Sequence, residues 1–191
     1  MSASAVAPAA PAPSAAPGPR APIRGAPVPR DAPMPSGPIL AILAGQGIGP
    51  IRFGATQATV ERLMERPCDV RDEKVCRYIG AAVEFFFDAA GKVQKIHVHR
   101  PGRPARDAAG NPRPYGMFHG AIPPDLKMLM LPWAIQQYLG KPLRVEPVLD
   151  GGPSFTEQRH YYKGMIIEYD RLDNGNLVLG GVVLQPEGAA R

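Results

Sequence analysis

Two stretches of this chain read alike, and their likeness limits the fold more than any other feature. "TQATVERLMERP" spans residues 56–67 and "LPWAIQQYLGKP" spans 131–142. Val60 and Ile135, Leu63 and Tyr138, Met64 and Leu139, Pro67 and Pro142 are each 75 residues apart. In the first stretch Thr56 is placed to cap a helix by accepting from a free amide one turn in. Val60, Leu63 and Met64 then give the i, i+3, i+4 spacing of a buried stripe, and Pro67 stops the helix. In the second, Pro132 suits the first helical position and Ile135, Tyr138 and Leu139 form the stripe. Gly140 caps that helix at its C-terminus and Pro142 ends it.

The residues after each helix also correspond. "VCRYIGAAVEFFFDAAGKVQKIHVHRP" reads as two strands around a turn at Asp88–Gly91. "RHYYKGMIIEYDRLDNGNLVLGGVVLQP" has the same arrangement around Asp173-Asn174-Gly175, a strong hairpin signal. Neither a helix nor a hairpin hides its apolar face alone. The expected fold is therefore α+β: two helix-plus-antiparallel-hairpin repeats sharing one sheet, with the helices on one face. The first repeat covers 39–100 and the second 117–187. Between them "RPGRPARDAAGNPRPYG", with four Arg, four Pro and three Gly, reads as a linker over 101–116.

Strand alternation separates core from open face. Val83, Phe85 and Phe87 belong under the helices. Phe86, Lys95, His97 and His99 then lie on the open face, joined by Ile166 and Glu168 from the second repeat. Phe86 has two readings, an aromatic anchor of a protein interface or a residue covered by the linker or the second half. His97 and His99 lack a third metal ligand nearby in sequence and read as a solvated pair; no metal is assigned. "GIGPIRFG" at 47–54 is rich in glycine, but its glycines precede a strand rather than joining a strand to a helix. They set a bend, not a phosphate loop. No Ser-His-Asp grouping or isolated acid pair stands out, so neither an enzyme nor a cofactor is expected.

Residues 1–38 hold eleven Pro and eleven Ala with no aromatic residue, which gives a disordered Pro/Ala-rich tail by composition. The tail carries +2 of the formal +5, leaving 16 acids against 19 bases in the rest. Such a mixed surface argues against nucleic acid. No run approaches the ~20 apolar residues of a membrane span. As written the chain reads as cytoplasmic, or periplasmic if a signal precedes this start.

"IRFGATQATVERLMERPCDVRDEKVCRY" resembles the start of beta-lactamase inhibitory protein-like tandem modules, a group shared with outer-membrane assembly lipoproteins and bacterial immunity-type proteins. The matching residues are Gly54, Thr56, Val60, Leu63, Pro67, Cys68 and Cys76, and the resemblance covers roughly 46–186. The second half lacks the Gly-x-Thr start and any Cys. Spacing alone leaves Cys68 and Cys76 as either two thiols or a pair; the resemblance implies a disulfide, worth about 2.5 kcal/mol for so short a loop, in an oxidising compartment. The expected function is a non-catalytic bacterial protein-binding module of immunity or inhibitor type. It would block a toxin or enzyme through Phe86, Lys95, His97, His99, Ile166 and Glu168. An envelope assembly module tethered by the tail is the alternative, and a small-ligand-binding protein or enzyme the third reading.

Overall fold

The computed structural model describes residues 39–72, 74–148 and 156–188; the Pro/Ala-rich segment 1–38 lies outside the described residues. Chain order begins with three short strands, β1 (Ile42–Leu43), β2 (Gly47–Ile48) and β3 (Ile51–Arg52), then helix α1 (Gln57–Leu63). β4 (Val70–Arg71), β5 (Val75–Tyr78), β6 (Val83–Phe87) and β7 (Val93–His99) follow as a meander. Next come β8 (Pro104–Arg106), β9 (Pro112–Pro114) and helix α2 (Pro132–Leu139). A second meander closes the chain: β10 (Arg144–Pro147), β11 (Thr156–Tyr162), β12 (Met165–Arg171) and β13 (Leu177–Leu184).

The expected pair of helix-plus-hairpin repeats is not what forms. The structure is mostly β, with 42% strand and 11% helix, and its main body is one antiparallel sheet of eight strands. Its order is β10-β11-β12-β13-β7-β6-β5-β4, so each half contributes a four-stranded meander rather than a hairpin. The missed strands are short or polar and carry no long alternation. β4 holds two residues and β10 reads RVEP. The last strands of the two halves meet at the centre, where Val98 pairs with Val182. About that pair the halves correspond. Glu84 faces His97 in one and Glu168 faces Gly181 in the other. Beyond them Arg77 pairs with Glu84, and Arg159 with Glu168.

One face of the sheet buries Val83, Phe85, Ile96, Val98, Ile167, Tyr169, Val182 and Leu184 against Val60 of α1, Met64 that caps its C-terminus, and Ile135 of α2. The β1–β3 meander adds Ile42, Ile48 and Ile51 to the same core. It is tied down by Leu40 and Ile42, whose amides donate to the carbonyls of His119 and Ala121. Thr56 caps α1 as its position suggests, its hydroxyl accepting from the Thr59 amide at 3.2 Å. Pro132 opens α2 and Gly140 follows it at φ 76°. Tyr138 departs from the expected stripe, because only Ile135 of α2 is fully buried and Tyr138 is 51% exposed. Among the described residues, no helix is long and apolar enough to cross a membrane.

Candidate functional site

The sheet face away from the helices carries an unusual concentration of buried charge. Glu84, His99, Arg103, Glu168 and Asp170 are all buried polar side chains. Alternation alone explains why acids at 84 and 168 point away from the core, since their neighbours Val83, Phe85, Ile167 and Tyr169 point into it. What removes them from water is the segment expected as a linker. Residues 100–116 fold into the β8–β9 hairpin, with Ala105 paired to Arg113, and lay Arg100, Arg103 and Tyr115 on the sheet.

Arg103 holds the cluster together. Both its terminal nitrogens lie 3.1 Å from Oε2 of Glu168, and Nη2 also donates to the Thr156 hydroxyl. Arg159 donates its Nε to the other Glu168 oxygen at 3.1 Å, and the His97 ring stands 3.0 Å from Oε2. Burial alone would raise the Glu168 pKa. Contact with His97 and the two guanidiniums instead holds it far below the ordinary carboxylate range. Asp170, fully buried, takes Nε of Arg100 at 2.7 Å.

The other half repeats this with different details. Arg77 donates to Glu84 at 2.7 Å and the Tyr115 hydroxyl donates to the same oxygen. The Tyr115 ring stacks on His99 at 4.0 Å between centroids. Nδ1 of His99 lies 3.2 Å from Nη1 of Arg103. A guanidinium only donates, so Nδ1 accepts and the ring proton sits on Nε2, 3.3 Å from Glu84. Burial, the nearby His97 and Arg103 push the His99 pKa down to about 3 against the pull of Glu84. The ring is therefore neutral near pH 7. Burial would raise Glu84, but its contacts with His99 and Tyr115 bring it down to about 2.

Atoms of Glu84, His97 and His99 approach within 4.8 Å of one another, a donor spacing. Arg103 Nη1 stands 3.3 Å from His97 and 3.2 Å from His99. The positive charge that such a group of donors attracts is thus already supplied by a guanidinium.

Register places Phe86, Lys95, His97, His99, Ile166 and Glu168 on one sheet face, as Phe86–Lys95, His97–Val183, Val183–Ile166 and His99–Gly181–Glu168 pairs show. The hairpin divides the six. His99 is buried beneath it, and Glu168, also buried, lines the neighbouring cleft only as a carboxylate already held by arginines. Lys95, His97 and Ile166 line an open cleft of about 290 Å³, together with Arg159, Tyr161, Val183 and Gln185. Phe86 lies beside it, with Nζ of Lys95 3.9 Å from its ring centroid.

Sequence reasoning missed Arg103, Tyr115 and Asp170; strand alternation places Glu84 on this face but gives it no role. One signal was present: Gly180-Gly181 inside an otherwise apolar strand marks a close approach. A Cβ on Gly180 would collide with the Asp170 carboxylate, and one on Gly181 with Arg103 and His97. Cys68 and Cys76 form a disulfide with Cα atoms 5.4 Å apart, bridging the end of the α1 segment to β5.

Comparison with family models, curated proteins and solved structures finds no match.

Proposed function

We propose that this chain is a non-catalytic protein-binding module of immunity or inhibitor type, which blocks a toxin or an enzyme with its open sheet face. The observation that carries this reading is the cleft beside Phe86. Its floor of Ile166 and Val183 is apolar, its rim holds Lys95 and Arg159, and its acid, Glu168, is already engaged by arginines. Such a surface offers anchors and charge selection. A general acid or base must reach the proton it moves, whereas the Glu84 and Glu168 carboxylates are held ionised by their own partners. The resemblance of residues 51–78 to inhibitory and immunity-type modules bears on a fold module more than on an activity, and motivates this reading only to that extent. The Cys68–Cys76 bridge favours an oxidising compartment, hence the periplasm or outside the cell.

The test is affinity capture from extracts of the source organism with the full chain and with a Phe86→Ser/Ile166→Thr variant. The expected partner is an enzyme or toxin that loses activity when the chain is added in equal amount. The variant should bind it about 30-fold more weakly, ~2 kcal/mol, while still unfolding cooperatively, at a somewhat lower melting temperature because Ile166 is only 9% exposed.

An envelope assembly module is the second reading, favoured by apolar side chains elsewhere. Trp133, Tyr138, Leu143 and Val145 are 61%, 51%, 79% and 45% exposed in and just after α2. A partner lost on Trp133→Ser/Leu143→Ser, and kept by the open-face variant, would replace the inhibitor reading with this one.

A further inference from the structure

Resting on the open-face reading, we infer that the cleft is a seat for an acidic side chain of the partner protein, an Asp or Glu flanked by apolar residues. Three cations, Lys95, Arg103 and Arg159, line it against one acid. That acid is spoken for. Glu168 meets both Nη atoms of Arg103, Nε of Arg159 and the His97 ring within 3.1 Å. Arg103 is itself consumed, buried at 4% exposure with Asp170 3.6 Å away on its other side.

What remains facing the cleft is donor capacity without an acceptor. Among the described residues, Lys95 has no carboxylate within 4.0 Å and rests only on the Phe86 ring. Arg159 is half exposed and spends one nitrogen, Nε, on Glu168. Its terminal nitrogens have no hydrogen-bond partner among the described residues. Tyr161 is closed to an incoming anion because its hydroxyl already donates to Glu146. The open positions are therefore Lys95 and the outer edge of Arg159, on opposite sides of Val183 and Ile166. A carboxylate above Val183 and Ile166 would lie between the two cations, and Lys95 would leave the Phe86 ring to meet it.

Size and lining choose among anions. About 290 Å³ is at the floor of the range for small-molecule pockets, ~300–1,000 Å³. That admits one or two side chains and not a nucleotide. An inorganic anion would gain nothing from the Ile166–Val183 floor or from Phe86 beside it. An acidic residue with an apolar neighbour uses both, with burial supplying affinity and the charge pair supplying orientation.

The inference can be tested on the full chain by following backbone amide resonances during titration. The probes are N-acetyl-leucyl-glutamyl-leucinamide, its glutaminyl counterpart, and inorganic phosphate. The glutamyl peptide should shift Lys95, Tyr161, Ile166 and Val183 with millimolar affinity and weaken as salt is raised. The glutaminyl peptide and the Lys95→Glu variant should each lose roughly tenfold, the variant keeping its melting temperature. Equal binding of both peptides would overturn the inference, as would phosphate displacing the glutamyl peptide at lower concentration than the peptide itself needs. Absence of any cleft shift up to about 10 mM peptide would overturn it too. These failures differ from failure of the open-face reading. If capture still depends on Phe86 and Ile166 while the titration fails, the face binds through its apolar residues alone.

Discussion

A methyl group on Gly181 would stand 2.8 Å from Nη1 of Arg103 and 2.9 Å from Nε2 of His97. The strand carries no side chain there, which leaves room for a guanidinium to lie on the sheet. Gly181→Ala should therefore lift Arg103 off Glu168 and loosen the hairpin, costing about 2 kcal/mol in urea unfolding as overpacking typically does. Gly80→Ala is the control. Its new methyl meets only the end of the Arg66 side chain, at 3.8 Å, and stability should stay within ~0.5 kcal/mol. At this scale the sequence was partly legible. Alternation alone put Phe86, Lys95, His97, His99, Ile166 and Glu168 on one face, because a strand repeats every two residues whatever lies above it. It could not show that Arg103 and Tyr115 come down onto that face. Their partners are as far as 65 residues away in sequence, and no local period reports such a contact.

Elements were read best where their ends carry chemistry. Thr56, Pro132, Gly140 and the turns at Gly91 and Gly175 sit where their side chains or positive φ angles suit them. Helix α2 shows the limit. It has eight residues, so two turns must be oriented from very few apolar positions. Ile135 is fully buried, whereas Tyr138, three positions on, stays half in water. Ile135→Asp should unfold the protein by placing an unpaired charge in the core. Tyr138→Asp should leave the melting temperature within a few degrees, and a collapse would show that Tyr138 packs more tightly than its exposure indicates. The segment 100–116 shows the same limit. Proline, arginine and glycine mark a loop by composition, yet paired prolines at Pro104 and Pro114 can flank a two-stranded hairpin whose edges need no further partners.

For the whole molecule, the enclosed charge fixes how stability depends on pH. His99 titrates near its ordinary 6.5 in the unfolded chain and near 3 in the folded one. Below 6.5 the unfolded chain takes up a proton that the folded chain refuses, so stability falls as pH drops. The loss attributable to His99 should reach up to about 3 kcal/mol by pH 4. His160, whose pKa burial also lowers, adds to it. Below about 4.5 the decline should steepen, because Glu84 and Glu168 bind protons more readily when unfolded. Urea midpoints between pH 8 and 4 test this. His99→Gln should flatten the curve between 6.5 and 4.5 and leave the lower part steep; an unchanged slope would remove His99 from the account.

The central ladder also has a kinetic meaning. Ile96 to His99 pair with Gly181 to Leu184, and the Arg100–Asp170 and Arg103–Glu168 contacts cross the same line at separations of 70 and 65 residues. Each meander is built from neighbours in sequence and can form early. Joining them requires closure of a long loop, whose entropy must be met before any of these contacts contributes. Closure should therefore be the rate-limiting step, with the contacts themselves forming only after it. Stopped-flow measurements on Arg103→Ala should show faster unfolding and nearly unchanged refolding. The charged cluster would then act as a latch on a finished molecule, setting how long it stays closed rather than how quickly it is made.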